Sequence, residues 1–182
     1  HVRTFNLDEF AGLPPGAPGS FRTFMDARLF SRVNLPVDGI GFLRGDAADE
    51  AGECARYDAA MRAAGGLDLL LLGLGANGHI GFNEPGPSLV APTHAVDLHE
   101  ETRRANADPF GGDWQRVPTR ALTMGMAAVL GARRVVLMAT GAGKASAVRA
   151  MVEGPLTTAC PASWLQTHPN TLVLVDAAAA AG

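Results

Sequence analysis

The chain has 182 residues, 47% of them hydrophobic and 18% charged, which excludes a disordered polypeptide and suffices for one domain with its own core. The net charge is −3, aromatic residues make up only 6%, and lysine and arginine form no run. A nucleic-acid partner is therefore not expected, although a small anionic ligand needs only one or two well-placed cations.

Strand-like runs alternate with helical patterns along the chain. Val2–Leu7 reads as a strand, followed by a helix over Phe21–Val33 with Ser20 placed to cap it. Ile40–Leu43 is the next strand and Ala48–Ala64 the next helix, ended by Gly65-Gly66, which tolerate left-handed geometry. A leucine-rich strand follows over Leu67–Leu72. Between Pro85 and Pro118 the periodicity fails, interrupted by prolines and glycines, and only Ala95–Leu98 reads as a short strand. So long an irregular connection is usually a functional lid or an extra hairpin. A helix is then predicted over Arg120–Leu130, a strand over Val135–Ala139, a helix over Lys144–Val152 and a strand over Leu172–Val175. The alanine-rich tail, Ala177–Ala181, reads as a frayed end. Continuous apolar strands with helices between them predict an α/β fold, a three-layer Rossmann-like domain with a mostly parallel sheet covered on both faces.

Cys54 and Cys160 lie far apart with no metal-type spacing and read as buried or half-buried thiols in a reducing compartment. No apolar stretch reaches membrane-spanning length and the first residues do not resemble a signal peptide, so no membrane partner and a cytoplasmic location are expected.

The most informative stretch is Gly73-Leu74-Gly75-Ala76-Asn77-Gly78-His79-Ile80-Gly81-Phe82-Asn83-Glu84-Pro85-Gly86. It follows a strand and sets an imidazole and a carboxylate in a glycine-rich turn, where Gly75 and Gly78 let the backbone approach a ligand. Such a pair at a strand end suits proton transfer. A second candidate is Lys144, which follows Thr140-Gly141-Ala142-Gly143 after a strand and opens a helix. Backbone N–H groups with an ammonium beside them form an anion site. Asp8 and Glu9 adjoin in a strand, so their side chains point to opposite faces and only one can face a site. On residues alone they read as a solvated acidic turn before Gly12-Leu13-Pro14. His94, His99 and His168 read as structural or surface residues without metal-ligand spacing, and Trp114 and Trp164 as packing.

The fourteen-residue run resembles the signature of the glucosamine-6-phosphate deaminase (isomerase) family. Four further blocks match in the family's order: Thr4 to Pro14, Val117 to Thr123, Gly143-Lys144-Ala145 and Pro161 to Pro169. The resemblance implies ring opening of glucosamine 6-phosphate, isomerisation by proton transfer between C2 and C1, and expulsion of ammonia to give fructose 6-phosphate. It implies no metal and no redox cofactor. His79 would open the ring, Glu84 would orient His79 and stabilise its charged form, and Asn77 would hold the ring where some members carry aspartate. Asp8 would be the base for the C2 proton and Lys144 the phosphate ligand, with residues of approximately 87–118 as a lid over the site.

Three departures follow from the same resemblance. Family members carry a further strand–loop–helix region upstream, so this chain is expected to be an N-terminally truncated member. The family's lid arginine is replaced by Asp108, with Arg103 and Arg104 as candidates to swing in. Allosteric members carry basic residues after the Glu-Pro motif, whereas Ser88 to Val96 has no lysine or arginine, so a monomer or weak homo-oligomer without such regulation is expected. Two rival readings remain. A 6-phosphogluconolactonase shares the fold and a Gly-His turn, but differs after the histidine, where this chain has Glu84. A sugar-phosphate sensor would accommodate Asp108 but has no need of Asp8, His79 and Glu84 together.

Overall fold

Residues 2–181 are described by a computed structural model. In chain order its elements are β1 (Thr4–Phe5), β2 (Asp8–Phe10), α1 (Phe21–Arg28), β3 (Ile40–Gly41), α2 (Glu50–Ala63) and β4 (Leu70–Gly73). There follow β5 (His94–Asp97), α3 (Glu100–Ala105), β6 (Arg120–Thr123), α4 (Met126–Gly131), β7 (Val135–Ala139), α5 (Ala145–Glu153) and β8 (Thr171–Val175). Among the described residues three of the five strand pairings, β1–β3, β4–β7 and β7–β8, are parallel, in keeping with the expected α/β class. β2–β6 and β5–β6 are antiparallel. Two compact units form, residues 1–61 with 93–123 and residues 62–92 with 124–182.

In the first unit, β6 lies between β2 and β5. Phe10 stacks on Phe21 at 5.0 Å between ring centroids and meets Phe110 edge-on at 5.7 Å. Gly19 makes room for that aromatic cluster: a methyl group there would sit 2.4 Å from the Phe110 ring, and its φ of +87° suits only glycine. Ser20 caps α1 as expected, its side chain accepting from the Thr23 N–H. Tyr57 of α2 is fully buried and donates to the Asn6 carbonyl at 2.6 Å.

The predicted helix over Arg120–Leu130 is corrected: the chain is strand through Thr123 and helix only from Met126. Ala121, Leu122 and Thr123 are fully buried between two partner strands, and this pairing overrides the helical preference of Ala and Leu. Gly125 starts α4, with the Val90 and Ala91 carbonyls accepting the Met126 and Ala127 N–H groups. The segment 87–118 holds β5, α3 and two short 3₁₀ turns, Asp108–Phe110 and Trp114–Arg116, and β5 pairs antiparallel with β6. The first predicted strand divides into β1 and β2.

In the second unit β7 is the central strand of the parallel sheet β4–β7–β8. Leu70, Leu72, Val135, Leu137 and Ala139 are buried, together with Val129 of α4 and Met151 of α5. The opposite face is exposed, through Leu71 (56%), Met138 (48%) and Leu174 (46%), so the expectation that both faces are covered is not met within the described residues. The C-terminal tail is corrected as well. Ala179 is fully buried and its N–H donates to Asp176 Oδ1 at 2.8 Å, so this end is a fastened turn. Among the described residues no helix is long and apolar enough to cross a membrane.

Candidate active site

β4 delivers the chain into the Gly-rich turn at the C-terminal edge of a parallel sheet, the edge on which α/β proteins build their sites. The turn closes on itself: the Gly75 N–H donates to the His79 carbonyl (2.9 Å) and the Gly78 N–H to the Gly75 carbonyl (3.0 Å). Each glycine here has its own reason. A methyl group on Gly75 would lie 2.4 Å from the His79 ring, so the imidazole is seated against bare backbone. Gly78 has φ of +86°, and a methyl group on it would meet Cys160 Sγ at 2.7 Å. The segment around Cys160 anchors the turn, through Ala162 N–H to the Gly78 carbonyl (2.9 Å) and Gly86 N–H to the Thr158 carbonyl (3.2 Å). Cys160 and Cys54 are both buried thiols raised by burial, Cys54 to about 11, and neither is activated as a nucleophile.

The turn brings Asn77, His79 and Glu84 together. His79 Nδ1 lies 3.5 Å from Glu84 Oε2, within ion-pair distance. The Glu84 side chain is only 4% exposed, against 16% for His79, so its charge acts where water screens it little. Asn77 ties the pair together, accepting the His79 backbone N–H through Oδ1 (3.2 Å) and donating from Nδ2 to Glu84 Oε2 (3.1 Å). Asparagine thus serves here as a neutral donor to the carboxylate. An aspartate would bring a second negative charge against Glu84. Asn83 is a residue that sequence reasoning missed. Its Nδ2 donates to the Ile80 (3.0 Å) and Met124 (2.9 Å) carbonyls and holds the second half of the turn.

Lys144 follows β7 on the same sheet edge, at the end of a 3₁₀ turn over Ala142–Lys144, and α5 begins one residue later than predicted. Its side chain is half-buried.

Asp8 belongs to the other unit, where β2 begins opposite Thr123. Asn6 Nδ2 donates to its carbonyl at 2.9 Å. Burial first, and the charge of Glu9 second, push its carboxyl up to about 7. Glu9 faces the other way and is 2% exposed. It accepts from Ser20 Oγ (2.8 Å), Phe21 N–H (3.0 Å), Arg22 N–H (2.9 Å) and its neighbour Phe10 N–H (2.9 Å), holding the N-terminus of α1. No local signal in the sequence marks that role, since its partners on α1 lie eleven to thirteen residues away.

Residues within 87–118 are tied to one another by cation–π contacts and hydrogen bonds. Trp114 is a packing residue, as expected, with the Arg104 guanidinium 4.3 Å and the Arg103 guanidinium 5.0 Å from its ring. Arg103 also donates to the carbonyls of Val117 (2.9 Å), Gln115 (3.2 Å) and Trp114 (3.3 Å), and Arg104 pairs with Glu100 at 2.7 Å. Asp108 is exposed. His168 is structural, as expected, and buried, with Nε2 2.7 Å from the Ala132 carbonyl. Among the described residues no cluster of three or more His, Cys, Asp or Glu side chains is arranged to hold a metal ion.

Residues 1–174 match the family model of glucosamine-6-phosphate isomerases/6-phosphogluconolactonase. Glucosamine-6-phosphate deaminase 1 of Giardia intestinalis is 47% identical over 175 residues, covering 96% of this chain, and the chain spans 66% of that relative's length. A solved structure of a monomeric glucosamine-6-phosphate deaminase has a TM-score of 0.95 at 42% identity, over 98% of this chain and 74% of that one. A 6-phosphogluconolactonase from Trypanosoma brucei has a TM-score of 0.74 at 20% identity, over 98% of this chain and 73% of that one, a likeness of fold alone. With its Gly-His turn built as described and its length matched almost throughout, this chain belongs to the glucosamine-6-phosphate isomerase/6-phosphogluconolactonase family.

Proposed function

We propose that the protein is a glucosamine-6-phosphate deaminase of amino-sugar catabolism, converting glucosamine 6-phosphate and water into fructose 6-phosphate and ammonia. The observation that carries this reading is the Asn77–His79–Glu84 cluster. In it a buried carboxylate 3.5 Å from the imidazole favours the imidazolium that forms when His79 takes up the proton of the O1 hydroxyl and passes it to the ring oxygen. Asp8 takes the proton from C2 in the isomerisation and returns it at C1. A carboxyl held at about 7 suits that shuttle, because both of its forms are populated near neutral pH. Lys144 holds the phosphate, and approximately residues 87–118 serve as the lid. The deaminase reading is favoured over the lactonase one by Glu84, the residue after the Gly-His turn that engages His79, and by the greater identity to the deaminases.

The test is ammonia release from glucosamine 6-phosphate by the full-length protein, beside His79→Ala. Release that falls by about 10²- to 10⁴-fold in the variant is the expected result. No release from a folded wild-type protein would replace this reading with the sugar-phosphate sensor. The absence of lysine and arginine between Ser88 and Val96 further supports a monomeric or weakly associated enzyme with a hyperbolic rate curve. A sigmoidal curve relieved by N-acetylglucosamine 6-phosphate would refute that expectation.

A further inference from the structure

We infer that Asp176 is a positioning residue for the sugar phosphate, its carboxylate setting the loop that carries Lys144. The inference rests on the phosphate role proposed above for Lys144.

β7 and β8 are parallel neighbours in which Ala139 pairs with Val175, so Asp176 leaves β8 beside the point where Thr140 leaves β7. The Gly141 N–H donates to both Asp176 carboxylate oxygens, each at 3.0 Å. The Ala179 N–H donates to Oδ1 at 2.8 Å, and the Ala180 N–H to the Asp176 carbonyl at 3.0 Å. The bonds to the carboxylate, that of Ala179 foremost and that of Gly141 next, hold the Asp176 carboxyl below the usual carboxylate range, so it stays ionised at neutral pH.

Gly141 is the residue through which the carboxylate acts. Its φ of +87° and ψ of 151° lie outside the space of other residues, and a free glycine would sample several basins. Asp176 fixes the amide on one side of Gly141, while the Gly141 carbonyl accepts the Lys144 N–H at 3.0 Å on the other. The 3₁₀ turn over Ala142–Lys144 is thereby closed at both ends, and the direction in which Lys144 leaves the backbone follows from a bond made 35 residues away in sequence. The buried Ala179 turn gives this carboxylate its second donor, so the alanine-rich tail is part of the same device.

Three variants of the full chain test it: Asp176→Ala, Asp176→Asn and Lys144→Ala. Ammonia release from glucosamine 6-phosphate is measured, with inorganic phosphate as a competing anion. Asp176→Ala is expected to raise both KM and the phosphate inhibition constant by about tenfold while kcat stays within about twofold, the pattern of lost binding rather than lost chemistry. Asp176→Asn, which keeps one acceptor oxygen, is expected to restore most of the loss. Should the alanine variant not fold, the asparagine variant carries the test, with the same split at smaller size. KM and phosphate inhibition unmoved in folded Asp176→Ala, or wholly unmoved in Asp176→Asn where the alanine variant does not fold, or a fall in kcat alone, would overturn the inference. Lys144→Ala separates the two levels. If it raises both constants and Asp176→Ala raises neither, only the positioning role fails; if it moves neither, the phosphate role of Lys144 fails and the positioning role with it.

Discussion

Asp8→Asn is expected to lower kcat at pH 8 by about 10²- to 10⁴-fold, as removal of a proton-transferring group does, and at the same time to make the protein more stable. Both effects have one cause. The Asp8 carboxyl is pushed up to about 7, from 3.8, by burial and by Glu9. Below pH 4 it is protonated whether the chain is folded or unfolded, and it contributes nothing to the pH dependence. Between pH 4 and 7 the unfolded chain releases the proton while the folded one keeps it, so stability falls as pH rises through this window. Above pH 7 both states are ionised and the penalty is constant. Each tenfold change in proton affinity is worth about 1.36 kcal/mol, so with allowance for a half-buried side chain that penalty is about 2–4 kcal/mol. Asparagine is neutral at every pH and removes it. Denaturant titrations of both proteins at pH 4 and pH 8 should therefore coincide at the lower pH and diverge at the higher, with the variant the more stable. Equal stabilities at pH 8 would mean that Asp8 is not strained in its ionised form. A base of this kind also predicts that kcat/KM of the wild type rises with pH through about 7.

What could be read from the chain in advance was whatever local chemistry determines. β7 falls on Val135–Ala139 as predicted, because a β-branched and apolar run is bounded by Arg133-Arg134 on one side and Gly141 on the other. Ser20 and the Gly65-Gly66 pair mark helix ends because capping is a matter of one or two residues. The Gly-rich turn was legible for the same reason: His79, Asn77 and Glu84 lie within eight residues and meet through the turn's own hydrogen bonds.

Long-range partners were not legible. Arg120 to Leu130 contains good helix formers, and only the pairing of β6 with both β2 and β5 makes its first four residues a strand. Asp176 and Gly141 are 35 residues apart, and the tail reads as frayed until their bond is known. The stacking of Arg103 and Arg104 on Trp114, and the bonds of Arg103 to the carbonyls around it, join α3 to a turn further along the chain that no local pattern links to it. In the Asp8-Glu9 pair, strand alternation requires opposite faces without saying which carboxylate is structural. Twelve residues on, Phe21 answers that question by donating its N–H to Glu9.

Glu9 is accordingly expected to be the costlier of the two adjacent carboxylates for stability and the cheaper for chemistry. Its Oε1 accepts from the Phe10 and Phe21 N–H groups, and its Oε2 from Ser20 Oγ and the Arg22 N–H. Each oxygen therefore faces two donors. Glutamine preserves the shape, but its amide nitrogen cannot accept, so either orientation leaves two donors without a partner. At about 1–3 kcal/mol for each buried donor left unsatisfied, Glu9→Gln is expected to cost about 2–6 kcal/mol. Glu9→Ala, which strands all four donors and opens a void, is expected to cost more than Glu9→Gln, about 4 kcal/mol or above. The charge has a second effect through its neighbour. It is the smaller of the two causes that raise the Asp8 carboxyl, so neutralising it should move the acid limb of kcat/KM to lower pH without abolishing it, because burial remains. The two readouts are independent, since denaturant titration reports the cap on α1 and the pH profile reports Asp8. A Glu9→Gln protein as stable as wild type would deny the structural role, and an unmoved acid limb would deny the electrostatic one. If both move as expected, adjacent residues on opposite faces of β2 divide the work: Glu9 holds the helix in place, and its charge adds to the burial that keeps Asp8 near neutrality.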